Sequence, residues 1–120
     1  MKLTVATVQM VSYNNDFRGN CIRAEELINQ AVQKGAQLIL LPEFALAGYV
    51  YEDSIWDMAE TLKGRTYQWM RSLCARHKVY IGTCILEANG QDFFDTFILA
   101  GPGQDELWQH RKIEPASYES

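Results

Sequence analysis

The chain has 120 residues with 11 Lys+Arg against 15 Asp+Glu, a formal net charge of −4, and a domain of roughly 100–200 residues leaves room for one at most. Its 48% hydrophobic and 12% aromatic content excludes intrinsic disorder. A net negative chain whose Lys and Arg are scattered lacks the electrostatic footprint that a phosphate backbone requires, which excludes nucleic acid as a partner.

The apolar run at 38–41 is far below the ~18 residues that span a bilayer. Met1-Lys2 leads directly into strand-like sequence with no signal-peptide core, so the expectation is a cytoplasmic protein with no membrane partner. Cys21, Cys74 and Cys84 are odd in number, far apart and set in apolar surroundings, which writes neither a disulfide framework nor a zinc site. With only His77 and His110 to add, neither a metal nor another cofactor is expected.

In chain order, residues 3–10 (LTVATVQM) are apolar on both faces and predict a strand buried inside a sheet. After a polar turn at 12–16, apolar residues fall at Phe17, Cys21, Ala24, Leu27, Ile28, Ala31 and Val32, the steps of a helical stripe. Gly35 stands where helices commonly end in a left-handed residue. Residues 36–41 (AQLILL), stopped by Pro42, suit a central parallel strand entered from a crossover helix, so 1–41 read as β-α-β.

A loop rich in Gly and aromatics at 44–53 precedes a short helix with Ser54 as N-cap, and a second helix starts at Thr66 and buries Trp69, Met70, Leu73 and Cys74. From Val79 the period changes to two. Strands are predicted at 79–87, 93–99 and 106–111, joined by an Asn89-Gly90 hairpin turn and a Gly101-Pro102-Gly103 turn. The latter lacks the Gly-Lys-Ser/Thr ending of a phosphate loop. The fold class is α/β, with a mixed sheet and a meander, one face of which still needs helices or a second sheet to cover it.

Glu43 follows an apolar strand and Pro42, at the carboxyl end where α/β sheets place their ligand crevices. The plainer reading is a solvated carboxylate on a loop. Lys112 ends the basic triplet His110-Arg111-Lys112, which by itself reads as a strand edge protected against pairing, and Glu119 follows behind Pro115. Tyr49, Tyr51 and Trp56, near the Glu43 loop, are candidates for substrate contact, whereas Trp69 reads as core.

Taken together, VATVQM at 5–10, KGAQLILLPEFALAGY at 34–49, GTCILE at 82–87 and HRKIEPASYE at 110–119 resemble the nitrilase, or carbon-nitrogen hydrolase, superfamily over essentially the whole chain. The resemblance implies an αββα sandwich, of which residues 1–120 would be an incomplete amino-terminal part of a single domain. It implies a Cys-Glu-Lys mechanism acting on a nonpeptide amide, carbamoyl compound or nitrile, a small-molecule substrate. Glu43 matches the general base, Lys112 the oxyanion-stabilising lysine and Glu119 a supporting second carboxylate.

The family's nucleophilic cysteine lies on a later strand, after the lysine. Cys21 and Cys74 fall on buried helical stripes and Cys84 lies mid-strand, so all three read as small core hydrophobes and no nucleophile is expected among these residues. Asp95-Thr96 departs from the Asn that many relatives carry. GYVYED at 48–53 is similar to the superfamily's glutaminase domains, and HRKIEPASYE to its nitrilase and amidase branches. Three readings stand: part of a hydrolase, inactive by itself; a noncatalytic truncated subunit or binding module; or a likeness of fold alone. An exposed sheet face predicts a homo-oligomer or association with a complete relative.

Overall fold

A computed structural model describes residues 2–48, 58–103 and 105–112. Within them, one five-stranded mixed sheet carries two helices. The strands are β1 (Val5–Thr7), β2 (Leu38–Leu40), β3 (Tyr80–Asn89), β4 (Asp92–Ala100) and β5 (Leu107–Arg111), and the helices are α1 (Phe17–Gln33) and α2 (Arg65–His77). The order across the sheet is β1-β2-β3-β4-β5, parallel from β1 to β3 and antiparallel from β3 to β5.

Both helices begin and end as local chemistry dictates. The Asp16 carboxylate accepts from the Gly19 N–H and caps α1, and Gly35 follows the last turn at φ 90°. At the head of α2 the cap comes from a distance: the Glu60 carboxylate accepts from both the N–H and the hydroxyl of Thr66, at 2.8 and 2.6 Å.

The stripes of both helices pack on the same face of the sheet. Cys21, Ala24 and Ile28 of α1 and Tyr67, Met70, Leu73 and Cys74 of α2 meet Ile39, Ile81, Ile85, Ile98 and Ala100 in one core. Each fully buried Ile or Leu there contributes roughly 1.5–3 kcal/mol. Trp69 packs against this core with its Nε1–H donating to Glu25 at 2.8 Å, tying α2 to α1.

The opposite face carries Val5, Tyr80, Phe93 and Trp108 exposed, the last at 50%, as the unfinished meander predicts. Two sequence expectations need correction. β1 is not buried inside the sheet but forms its edge, with Leu3 and Val5 exposed, because a two-sided apolar pattern records both faces of a strand and not how many neighbours flank it. The hairpin turn is also one residue later than predicted. Asn89 pairs with Asp92, which leaves Gly90, at φ 65°, and Gln91 as the two-residue loop. The helix expected from Ser54 lies outside the described residues.

Candidate active site

Strand alternation sorts the polar residues of the sheet onto two faces. Register places Cys84 opposite Phe97 and Leu86 opposite Asp95 on β3 and β4, all facing away from the helices. Lys112 follows β5 on that side too, and its N–H donates to the Asp95 carbonyl at 2.9 Å. Glu43 joins them from the loop after β2.

That loop is held at nearly every residue. The Thr83 hydroxyl donates to the Pro42 carbonyl, the Phe44 N–H to Cys84, the Ser12 hydroxyl to Ala45 and the Asn20 amide to Leu46, at 2.6–2.9 Å. Phe44 takes a left-handed φ of 54°, and the Gly48 N–H closes back on the Phe44 carbonyl at 2.8 Å. The buried Asn20 amide, shared between the Tyr13 and Leu46 carbonyls, clamps the loop to α1.

The result brings together two residues 69 positions apart: Lys112 Nζ donates to Glu43 Oε2 at 2.7 Å. Asp95 Oδ2 stands 3.5 Å from the same ammonium. The Glu43 and Asp95 carboxylates and the Cys84 thiol bring oxygen and sulfur atoms within 4.8 Å of one another.

The electrostatics follow from these contacts. Asp95 and then Lys112 hold the Glu43 carboxyl below the usual carboxylate range against opposing burial. Burial, then the hydrogen bond and charge of Glu43, push Asp95 up to about 6. The hydrogen bond to Glu43 raises Lys112, fixing its positive charge. Burial raises the Cys84 thiol against the pull of Lys112. Glu43, Cys84 and Asp95 are close enough to suggest a cation site, but the Lys112 ammonium already sits among them as their positive charge.

Glu43 and Lys112 are thus brought into contact, both side chains remaining exposed. Glu119, Tyr49, Tyr51 and Trp56 lie outside the described residues. Cys21 and Cys74 are buried on the helices as predicted, their thiols pushed up to about 12 by burial. Cys84 is the exception: it is half-buried and faces the charged cluster, not the core, because residues 81, 83 and 85 take the helix side and leave 84 for the other.

Two participants were missed. Asp95 stands out in sequence only as a departure from the Asn of many relatives, and the register reveals its neighbours. Glu87 is 3% exposed and accepts from Thr96 Oγ1 at 2.8 Å and from Arg111 Nε and Nη2 at 3.0 and 2.8 Å. A Glu in step with Ile81, Thr83 and Ile85 was the available signal, since a charge on a buried face demands a partner. Arg111, the middle of the basic triplet, is thus an anchor that fixes β5 beside Lys112.

Comparison with known proteins bears on the family and the fold. The chain is 30% identical over 112 residues to a nitrilase of Pyrococcus abyssi, covering 91% of this chain and 42% of that protein. It is 33% identical over 95 residues to omega-amidase NIT2-B of Xenopus laevis, covering 78% of this chain and 34% of that one. A CN-hydrolase superfamily protein of Xanthomonas campestris superposes with a TM-score of 0.82 at 24% identity, over 98% of this chain and 43% of its own. That structure bears on the fold, an α/β sandwich. The chain spans less than half the length of these relatives. The sequence model of the family described as carbon-nitrogen hydrolase matches residues 4–120, a span that takes in Glu43, Cys84, Asp95 and Lys112, and the chain belongs to that family.

Proposed function

We propose that these residues form the amino-terminal part of a single carbon-nitrogen hydrolase domain that cleaves a nonpeptide amide or nitrile, with Glu43 as general base and Lys112 as the stabiliser of negative charge. The observation that carries the reading is the 2.7 Å contact between Lys112 Nζ and Glu43 Oε2 at the carboxyl end of the sheet. A base and a fixed cation in contact are what acyl transfer to a thiol requires.

For an amide, the thiol of a cysteine attacks the carbonyl carbon and Glu43 takes its proton. Lys112 faces the oxygen on which charge develops, and the amine leaves with the proton that Glu43 returns. Water, deprotonated by Glu43, then breaks the thioester and restores the thiol. In this reading the nucleophile lies outside residues 1–120, because Cys21 and Cys74 are sealed in the core and burial disfavours the Cys84 thiolate. Glu119 is the supporting carboxylate, and Tyr49, Tyr51 and Trp56 line the substrate. The exposed apolar face with Tyr80 and Trp108 fits a subunit that works in association.

The test is ammonia release from simple amides and nitriles by the full-length protein. Glu43→Gln and Lys112→Met each lower kcat/KM by ~10²-fold or more. Residues 1–120 alone release none. Either variant working within tenfold of the parent, while still folded by circular dichroism, overturns the assignment.

A further inference from the structure

We propose that Asp95 is a positioning residue for this site: its carboxyl and that of Glu43 hold one proton between them beside the Lys112 ammonium, and departure of that proton frees Glu43 to act as a base. The catalytic meaning rests on the reading of Glu43 given above. The shared proton rests on the closeness of the two carboxyls and their unequal access to the ammonium.

Oxygens of the two carboxyl groups lie within 4.8 Å of each other. Ionised carboxylates are acceptors only, and two that close repel, which a proton on one of them relieves. Asp95 Oδ1 is buried and meets no donor among the described residues, an arrangement that costs free energy for a bare carboxylate oxygen and is resolved by an O–H. The available cation is shared unequally, Lys112 Nζ standing 2.7 Å from Glu43 but 3.5 Å from Asp95. Asp95 is also the less exposed carboxyl, 20% against 36%. Proximity to the ammonium and contact with water both leave the charge on Glu43, and the proton goes to Asp95.

The charged and titratable groups facing Asp95 from each neighbouring element are Glu43 after β2, Cys84 on β3 and Lys112 after β5. Burial keeps the Cys84 thiol neutral, so it does not alter the balance. The opposite displacements of Asp95, upward to about 6, and Glu43, downward, are those of two like groups titrating in succession. Below the upper step the Asp95 O–H donates to Glu43, fixing its orientation and weakening it as a base. Above that step the pair carries two negative charges against one ammonium, and Glu43 accepts a proton more readily.

The experiment is a carbon-13 NMR titration of the side-chain carboxyls of the full-length protein between about pH 2.5 and 8, which requires no substrate. The expected result is that the Glu43 and Asp95 carboxyl carbons report the same two steps, one below the usual range and one near 6. In Asp95→Asn, whose amide donates permanently to Glu43, the step near 6 vanishes from Glu43. In Glu43→Gln, the Asp95 step falls by more than one pH unit. The proposal is overturned if Asp95 titrates alone near its ordinary ~3.9, or if the step near 6 survives at Glu43 in Asp95→Asn.

Because the wild-type titration already distinguishes these results, a variant that misfolds does not protect the idea. A pH profile of kcat/KM adds the functional arm: the rise through about pH 6 is lost in Asp95→Asn. A two-step titration in a protein that hydrolyses nothing refutes the hydrolase reading and upholds the shared proton. Separate single steps in an active enzyme do the reverse.

Discussion

Glu87→Gln removes one charge from the best-connected polar group of the sheet and changes almost no volume. The wild-type carboxylate accepts three hydrogen bonds, two of them from the Arg111 guanidinium as a fork, while 3% exposed. A Gln oxygen serves at most two of those donors, and its amide hydrogens point at the guanidinium. A hydrogen bond to a charged group is worth about 1.5–3 kcal/mol. Arg111 is 38% exposed and turns partly to water when released, which places the net loss at about 2 kcal/mol. For a chain of this size that lowers Tm by roughly 6–10 °C.

The pH dependence fixes the mechanism. The Arg111 hydrogen bond holds the Glu87 carboxyl below its ordinary value, so its contribution is complete above the unfolded value of ~4.3 and is lost as pH falls through the lower folded value. Urea denaturation at a series of pH values should therefore show the gap between parent and variant closing below about pH 4. A gap that is absent at pH 7, or that stays constant down to pH 2.5, refutes the claim that the Glu87 charge holds β5 in place.

In thiol labelling of the folded protein at pH 8, followed by mass mapping, Cys84 reacts first, because Cys21 and Cys74 are buried and their thiols lie near 12; equal labelling of Cys74 would contradict the packing. Cys84→Ser leaves ammonia release by the full-length protein within tenfold of the parent, and its abolition would make Cys84 the nucleophile. Gly48→Ala is strained twice over, by a φ of 84° and by a Cβ 2.8 Å from the Asn14 Cα and the Tyr13 carbonyl oxygen. It should cost about 2 kcal/mol or more in denaturant titrations and disturb the Glu43 loop, and an unchanged midpoint would show that the loop yields without strain.

Periodicity made the two helices and the meander legible because burial repeats every 3.6 or 2 residues. It could not say that β1 is an edge, since the same apolar pattern serves a strand with one neighbour or two. Glu43 and Lys112 were legible only as a pair of motifs in a fixed order. Each alone was an unremarkable charge, and 69 residues of chain separate them. Cys84 reads as a core hydrophobe and Asp95 only as a departure from the Asn of many relatives, because their closeness to Glu43 depends on cross-strand register, which pairs Leu86 with Asp95 and Cys84 with Phe97. Register depends on hairpin length, and the turn stands one residue from where Asn-Gly suggests. Glu87 is legible from its phase among Ile81, Thr83 and Ile85, because a charge on a buried face needs a partner.

Arg111 and Lys112 are adjacent, face opposite sides of the sheet, and should divide fold from chemistry between them. Arg111 binds a buried carboxylate on the helix side. Lys112 binds a carboxylate as open as itself, at 42% and 36% exposure. Pairs that exposed contribute at most about 1 kcal/mol, and Met at position 112 keeps the apolar stem. Lys112→Met should therefore melt within about 5 °C of the parent, while ammonia release falls by ~10²-fold or more through loss of the charge beside Glu43. The same substitution leaves two carboxyls without their cation, so the Glu43 carboxyl moves upward, which carbon-13 titration reads directly. A loss of more than 2 kcal/mol would make Lys112 a structural residue. Unchanged turnover would deny it the chemistry and leave its 2.7 Å contact with Glu43 an ordinary exposed ion pair.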